Sequence, residues 1–189
     1  MNSMYKVWVG DLNEDWVDTV NKIAKNYPAI EASIGFDGSD VIEQVRRSEV
    51  RWLNPHIPEL TYIKETLMNF AQDANRNHWG FDISYLKEIQ HTTYKSDVLG
   101  KYDWHEDTFW VNPTQYHRKV SLVVQLTDSS EYEGGDFQID SQYGVLDAVE
   151  IRKKGTVIAF PSFLRHRVTP VTSGTRNSLV CWVEGPKFR

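Results

Sequence analysis

Residues Phe160–Ser178 read FPSFLRHRVTPVTSGTRNS. On either side stand "GTVIA" and "LVCWVEG", whose β-branched, aromatic and small apolar residues fit strands of a buried sheet. Inside the stretch are His166, a turn-prone "TSG" at Thr172–Gly174, and Arg176. An imidazole and a guanidinium in core-strand sequence need partners, because burial without a hydrogen bond or counter-charge is costly. The TSG segment is expected to reverse the chain and return Arg176 beside Val171, about five residues along the strand from His166. At ~3.3 Å per residue the two side chains would then stand roughly 16 Å apart.

Outward from this stretch, the sequence from Trp79 onward is a succession of β-like runs separated by turn-rich pieces such as "TDSSEYEGG". The runs are WGFDI, LKEIQHTTY, KYDWHEDTFW, KVSLVVQLT, GDFQID, AVEIR, GTVIAF, HRVTPV and NSLVCWVEG. Before them, Asn13–Asn26 carries Trp16, Val20, Ile23 and Ala24 at helical spacing, acidic residues first and lysines later, as a helix dipole favours. A second helix is expected over about Ile57–Asn77, with Pro58 in its first turn and Leu60, Ile63, Leu67 and Phe70 on one face. The pattern predicts a mainly β fold with flanking α-helices, a sandwich or barrel whose sheet carries both helices on one side. With no linker and no internal repeat, residues 1–189 read as one domain, with helical support over about 12–78 and a β core over about 79–186.

The formal net charge is −5 and the pI is near 5.7. A partner held mainly through its phosphates usually meets a basic face, so nucleic acid is demoted. No window reaches the roughly 18 apolar residues of a membrane span. Cys181 is the single cysteine, so no internal disulfide framework is expected, and "MNSMYKVWVGDLNEDW" lacks the apolar stretch of a secretory signal. These features predict a cytoplasmic protein that does not enter a membrane. Nothing in the sequence speaks to oligomeric state.

In KYDWHEDTFW, strand alternation puts His105 and Asp107 on one face, about 6–7 Å apart at their Cα atoms, and turns Glu106 outward. His-x-Asp alone also fits a plain hydrogen bond on a solvated strand face. Of the remaining histidines, His56, His78, His91 and His117 read as surface or packing residues, whereas His166 lies between buried-looking runs. Two histidines and one carboxylate, with three open positions, is the ligand arrangement of non-haem Fe(II) oxygenases. Arg176 then acquires a role. Its planar fork binds a carboxylate bidentately and keeps its charge when buried, so a five-carbon dicarboxylate on the metal, with the extended arginine reaching back, would fill the ~16 Å gap. Ser178, two residues on, shares the face of Arg176 and is placed to donate a further hydrogen bond.

His105, Asp107, His166 and Arg176 together resemble the motif of the iron(II)- and 2-oxoglutarate-dependent dioxygenases. "RKVSLVVQLTDSSEYEGGDFQI" and "KKGTVIAFPSFLRHRVTPVTSGTRNSLVCWVEGP" are similar to the prolyl 4-hydroxylase-like branch, particularly its small bacterial and phage members. The similarity runs from about Arg47 to Pro186. It implies a double-stranded β-helix, the jelly roll of cupin-like proteins. It also implies Fe(II) on His105, Asp107 and His166, and 2-oxoglutarate and O2 as co-substrates, with Arg176 on the distal carboxylate; ascorbate joins as an optional reductant. Tyr94 and Gln125 correspond to positions that serve the same carboxylate in relatives, Tyr94 with one extra residue before His105 and Gln125 where several relatives have tyrosine. Tyr102 matches a recurrent aromatic near the substrate, equally well explained by packing.

The activity implied is hydroxylation of an unactivated C–H bond, with a prolyl side chain of a peptide or protein as the first candidate. A free amino acid or other small metabolite is the alternative substrate. A jelly roll that only binds, and a zinc hydrolase, are the alternatives from other classes. The intact ligand set with Arg176 opposes the first, and the absence of a helical His-Glu-x-x-His opposes the second.

Overall fold

The computed structural model describes residues 4–33 and 44–189. In chain order the elements are β1 (Lys6–Trp8), α1 (Glu14–Ala24), β2 (Ile30–Glu31), β3 (Arg46–Arg47), β4 (Glu49–Leu53), α2 (Thr61–Ala74), β5 (Tyr85–Lys95) and β6 (Lys101–His105). There follow β7 (Tyr116–Gln125), β8 (Tyr132–Gly134), β9 (Phe137–Ile139), β10 (Val157–Pro161), β11 (His166–Val168) and β12 (Val171–Pro186). The larger sheet runs β1-β10-β7-β12-β5-β4-β2, with β8 paired to β12, and the smaller runs β3-β6-β11-β9. Every one of these pairings is antiparallel.

Both helices form where the sequence supplies a start and an apolar stripe. Asn13 caps α1, its Oδ1 accepting from Trp16 N at 2.9 Å, and Trp16, Val17, Val20 and Ala24 are buried beneath it. Pro58 opens a 3-10 turn ahead of α2, which buries Ile63, Leu67, Ala71 and Ala74. Those faces pack against Ile89, Leu122, Leu179 and Cys181 of the larger sheet. Truncating a fully buried leucine there, such as Leu67, costs about 2–5 kcal/mol. Alternation then sends the intervening residues of the same strands, among them Tyr94, Val123, Gln125, Arg176 and Ser178, to the opposite face. Those of them that line the cavity look across to the smaller sheet.

Several expectations are corrected. WGFDI forms no strand, because α2 ends in a π-helical turn at Asn75–Trp79 and the Asn75 side chain takes both backbone groups of Phe81, each at 2.8 Å. AVEIR gives a 3-10 turn at Glu150–Arg152, bent by Asp147 Oδ1, which accepts from the backbone N–H groups of Val149 and Glu150. TSG does not reverse the chain, since β12 continues through it. Gly174, at φ +69°, and a register shift between Val171 and Ser173 let the strand pass from its partner β8 to its partners β5 and β7. The chain changes sheets earlier, at Thr169–Pro170 between β11 and β12. Finally, β1 to β4 occupy sequence ahead of the predicted β core; at two to five residues each they are too short for periodicity to register.

Candidate active site

His105 and His166 are direct cross-strand partners at the ends of β6 and β11, which places their rings 4.2 Å apart at the centroids. Each Nδ1 donates to the carbonyl two residues earlier, His105 to Asp103 O at 2.7 Å and His166 to Leu164 O at 2.8 Å. A carbonyl can only accept, so both rings carry a proton on Nδ1 and turn Nε2 toward Asp107. Asp107 completes the group, with its oxygens 3.8 Å from His105 Nε2 and 3.6 Å from His166 Nε2. The three ligand atoms lie within 4.8 Å of one another.

Asp107 does not reach this position as a strand residue. β6 ends at His105, and the next turn is held by Ser162, whose carbonyl accepts from Asp107 N at 2.8 Å and Thr108 N at 3.1 Å. The expectation of a continuous strand face through Asp107 is therefore corrected, while Glu106 does turn outward and is exposed. Ser121 donates to Asp107 Oδ2 at 2.6 Å and shares a second contact with Ser162 Oγ at 2.9 Å. Burial pushes the Asp107 carboxyl up, but His166, His105, Arg118 and the Ser121 hydroxyl together hold it down at about 2. Burial, with His166 beside it, lowers the His105 imidazole to about 3. A buried carboxylate facing two imidazoles, each oriented from its far nitrogen, is a donor set suited to a divalent cation.

These residues open into a cavity of about 580 Å³ that also holds Arg176, Ser178 and Tyr94. Arg176 is 1% exposed. Its guanidinium donates to Gln125 Oε1 at 2.9 Å and Ser178 Oγ at 3.5 Å, lies 5.4 Å from the Tyr94 ring, and leaves Nε without a partner. Among the described residues no carboxylate is ion-paired with it. Gln125 and Ser178 face each other across β7 and β12, and Tyr94 faces Arg176 across β5 and β12. Arg176 is thus a buried cation cradled by neutral groups, and Arg46, which also lines the cavity and donates to Ser48 Oγ and Gln90 Oε1, is another. The anticipated closeness of Arg176 and Val171 exists, but around Gly135: a Cβ there would meet Val171 Cγ2 at 2.9 Å and Arg176 Cδ at 3.0 Å.

The other end is lined by residues the sequence analysis passed over. Trp182 lies on β12 at the same period of two as Arg176, Ser178 and Val180, all four lining the cavity. Arg118 stacks 3.9 Å above Trp182 and donates to Glu88 Oε2 at 2.7 Å. Trp52 packs 6.0 Å from Trp182 and is 41% exposed, which marks this end as the opening. Tyr102 stacks 3.5 Å from His105 and is kept a neutral phenol by burial, at about 12. Alternation outward from Arg176 and Gln125 was the available signal for Trp182 and Ser121. Nothing local in the sequence singled out Arg118, Glu88 or Trp52.

The fold is that of the double-stranded β-helix oxygenases of the prolyl 4-hydroxylase type. A Pseudomonas putida prolyl-4-hydroxylase superposes with a TM-score of 0.71 over 96% of this chain and 92% of its own, at 19% identity. A viral collagen prolyl hydroxylase from Paramecium bursaria Chlorella virus-1 gives 0.69 over 97% of each chain, at 20% identity. In sequence, the profile of the 2OG-Fe(II) oxygenase superfamily matches residues 89–184, and the chain belongs to that family. PKHD-type hydroxylases are similar to it: one from Synechococcus sp. (strain CC9311) at 37% identity over 48% of this chain, and one from Colwellia psychrerythraea at 32% over 66%. The matched stretches span 39% and 56% of those relatives' own lengths. Among the described residues no helix is long and apolar enough to cross a membrane.

Proposed function

We propose that this chain is an Fe(II)- and 2-oxoglutarate-dependent dioxygenase that hydroxylates a prolyl side chain in a peptide or protein. One observation carries the co-substrate assignment: a fully buried guanidinium with only neutral partners shares a cavity with two imidazoles and a carboxylate that converge. A buried charge without a counter-charge is costly, and a bound carboxylate removes that cost. His105, Asp107 and His166 would hold the iron, which with 2-oxoglutarate and O2 supplies C–H hydroxylation coupled to release of succinate and CO2.

The chain's own residues supply position and charge. Ser121 orients Asp107, and the carbonyls of Asp103 and Leu164 keep the Nε2 atoms free for the metal. Gln125 and Ser178 aim Arg176 along the cavity at the distal carboxylate, with Tyr94 closing that end. Substrate enters past Trp52 and meets Trp182 and the Arg118–Glu88 pair before the metal. The prolyl reading is supported by the named neighbours, one of which, from Trichoplax adhaerens, was solved with a peptide fragment of hypoxia inducible factor (TM-score 0.72, 14% identity).

Anaerobic titration with Fe(II) and 2-oxoglutarate, followed by the visible charge-transfer band, tests the chemistry. Wild type should develop the band, His166→Ala should lose it, and Arg176→Ala should need far more 2-oxoglutarate. A wild type that shows neither band nor 2-oxoglutarate binding refutes the oxygenase reading. Substrate-stimulated succinate release with proline-containing peptides against free amino acids then decides the substrate class.

A further inference from the structure

Beyond β12 the chain does not leave the molecule. Lys187 N donates to Gln115 O at 3.2 Å, Lys187 Nζ donates to Asn112 O at 3.0 Å, and Phe188 N donates to His117 Nδ1 at 3.3 Å. All three acceptors belong to the stretch between Asp107 and the early part of β7. The Phe188 ring stands 5.4 Å from Phe81 and 5.7 Å from both Trp110 and Phe163. Lys119 Nζ lies 3.5 Å over its face, and Lys119 is 4% exposed.

Three neighbours of Phe188, Trp110, Phe163 and Lys119, are tied to metal-ligand positions. Trp110 follows Asp107 by three residues, and its Nε1 donates to Glu106 Oε2 at 3.1 Å. Phe163 sits in the turn that leads to His166, next to Ser162, whose carbonyl accepts from Asp107 N. Lys119 O accepts from Ser162 N at 3.0 Å. A continuous path therefore runs from the ring of Phe188 through Lys119 and Ser162 to Asp107, and through Phe163 to the turn before His166. Phe188 also lies outside the span, residues 89–184, that matches the family.

We infer that Phe188, seated by Lys187, is a positioning residue for the metal centre: it clamps the Asp107 loop against the His166 turn and so fixes the separation of the two ligands. The inference rests on the metal-site reading above. Without the ring, Lys119 loses the face it covers and Trp110 loses a wall, and the turn that carries Asp107 loses its packing on that side. Partners hydrogen-bonded directly to metal ligands change metal affinity by about 10–100-fold when removed, and Phe188 acts through such a partner, Ser162, so the lower end of that range is expected.

The test uses the full chain with Co(II) as the probe, read by its d–d absorption, and Fe(II) affinity measured anaerobically. Phe188→Ala should weaken both metals about tenfold and change the Co(II) band shape, and Phe188→Tyr should restore both. Leu67→Ala, buried under the larger sheet, lowers stability without touching the clamp and should leave affinity and spectrum unchanged. Phe188→Leu, a milder truncation, should fall between if Phe188→Ala folds poorly. Wild-type affinity and spectrum in folded Phe188→Leu or Phe188→Ala would overturn the inference, as would equal weakening in Leu67→Ala. A wild type that binds neither metal would instead overturn the metal-site reading itself, and the clamp with it.

Discussion

A guanidinium cannot shed its proton to escape burial, so Arg176 keeps its charge in a place where only Gln125 and Ser178 accept from it. Two opposite effects should follow from Arg176→Met. Melting temperature without ligand should stay level or rise, because replacing an unpaired buried charge with an apolar side chain of similar length is neutral or favourable. The rise in melting temperature that 2-oxoglutarate and metal give wild type should vanish, and affinity for 2-oxoglutarate should fall by roughly two orders of magnitude, the scale of removing one partner of a buried charge pair. A variant melting well below wild type without ligand would contradict the first expectation. Scanning calorimetry with and without 2-oxoglutarate reads both. At this scale the sequence was informative: His166 and Arg176 stood out as polar groups in core-like strands, His105 and Asp107 gained weight only beside them, and the structure brings all four to one cavity. Ser121 was legible only in part, since a serine within an apolar strand is common and its bond to Asp107 depends on a turn that alternation does not foresee.

Among the elements, β12 does most to shape the site, and its entry depends on Gly134, which ends β8, and on Gly135 just after it. Gly135 adopts φ +63° against Arg176 Cδ and Val171 Cγ2, so Gly135→Ala combines backbone strain with a displaced arginine. We expect a melting temperature lowered by several degrees and a raised 2-oxoglutarate KM with metal affinity retained; unchanged KM would show that Arg176 adjusts freely. β5 carries a second, independent consequence on its helix side. His91 is buried, with Nε2 3.2 Å from Asn21 Oδ1 of α1, and burial followed by Arg51 lowers it from 6.5 to about 4. The folded value is below the unfolded one, so this contribution is complete above about pH 6.5, is lost as pH falls towards 4, and changes no further below that. The loss is at most about 3 kcal/mol. Denaturant melts across pH 7 to pH 4, roughly the window in which the two states differ, should show a shallower decline in His91→Gln than in wild type. Helices and long strands were readable because their periods repeat several times. The TSG reversal was misread because a glycine at positive φ serves a bend within a strand as well as it serves a hairpin.

Across the whole molecule, the proposed ligands join the two sheets. His105 and His166 belong to the smaller sheet, whereas Arg176, Ser178, Gln125 and Tyr94 belong to the larger. Metal alone should therefore protect amides of β6 and β11 from hydrogen exchange, and metal with 2-oxoglutarate should extend protection to β5, β7 and β12. At a hundredfold excess over its Kd each of the two ligands should add about 2.7 kcal/mol of stabilisation, and chelator should remove it. Protection confined to the smaller sheet under both conditions would mean that the co-substrate does not reach Arg176. Cys181 lies on that same β12, five positions beyond Arg176 and on the side packed under the helices. Burial raises its thiol well above the ordinary range, so in the folded chain it is neither nucleophilic nor reachable, and intact molecules cannot be joined through sulfur. A maleimide label can attach only when the strand lifts away, which makes this lone thiol a clock for the opening of the very strand that carries Arg176.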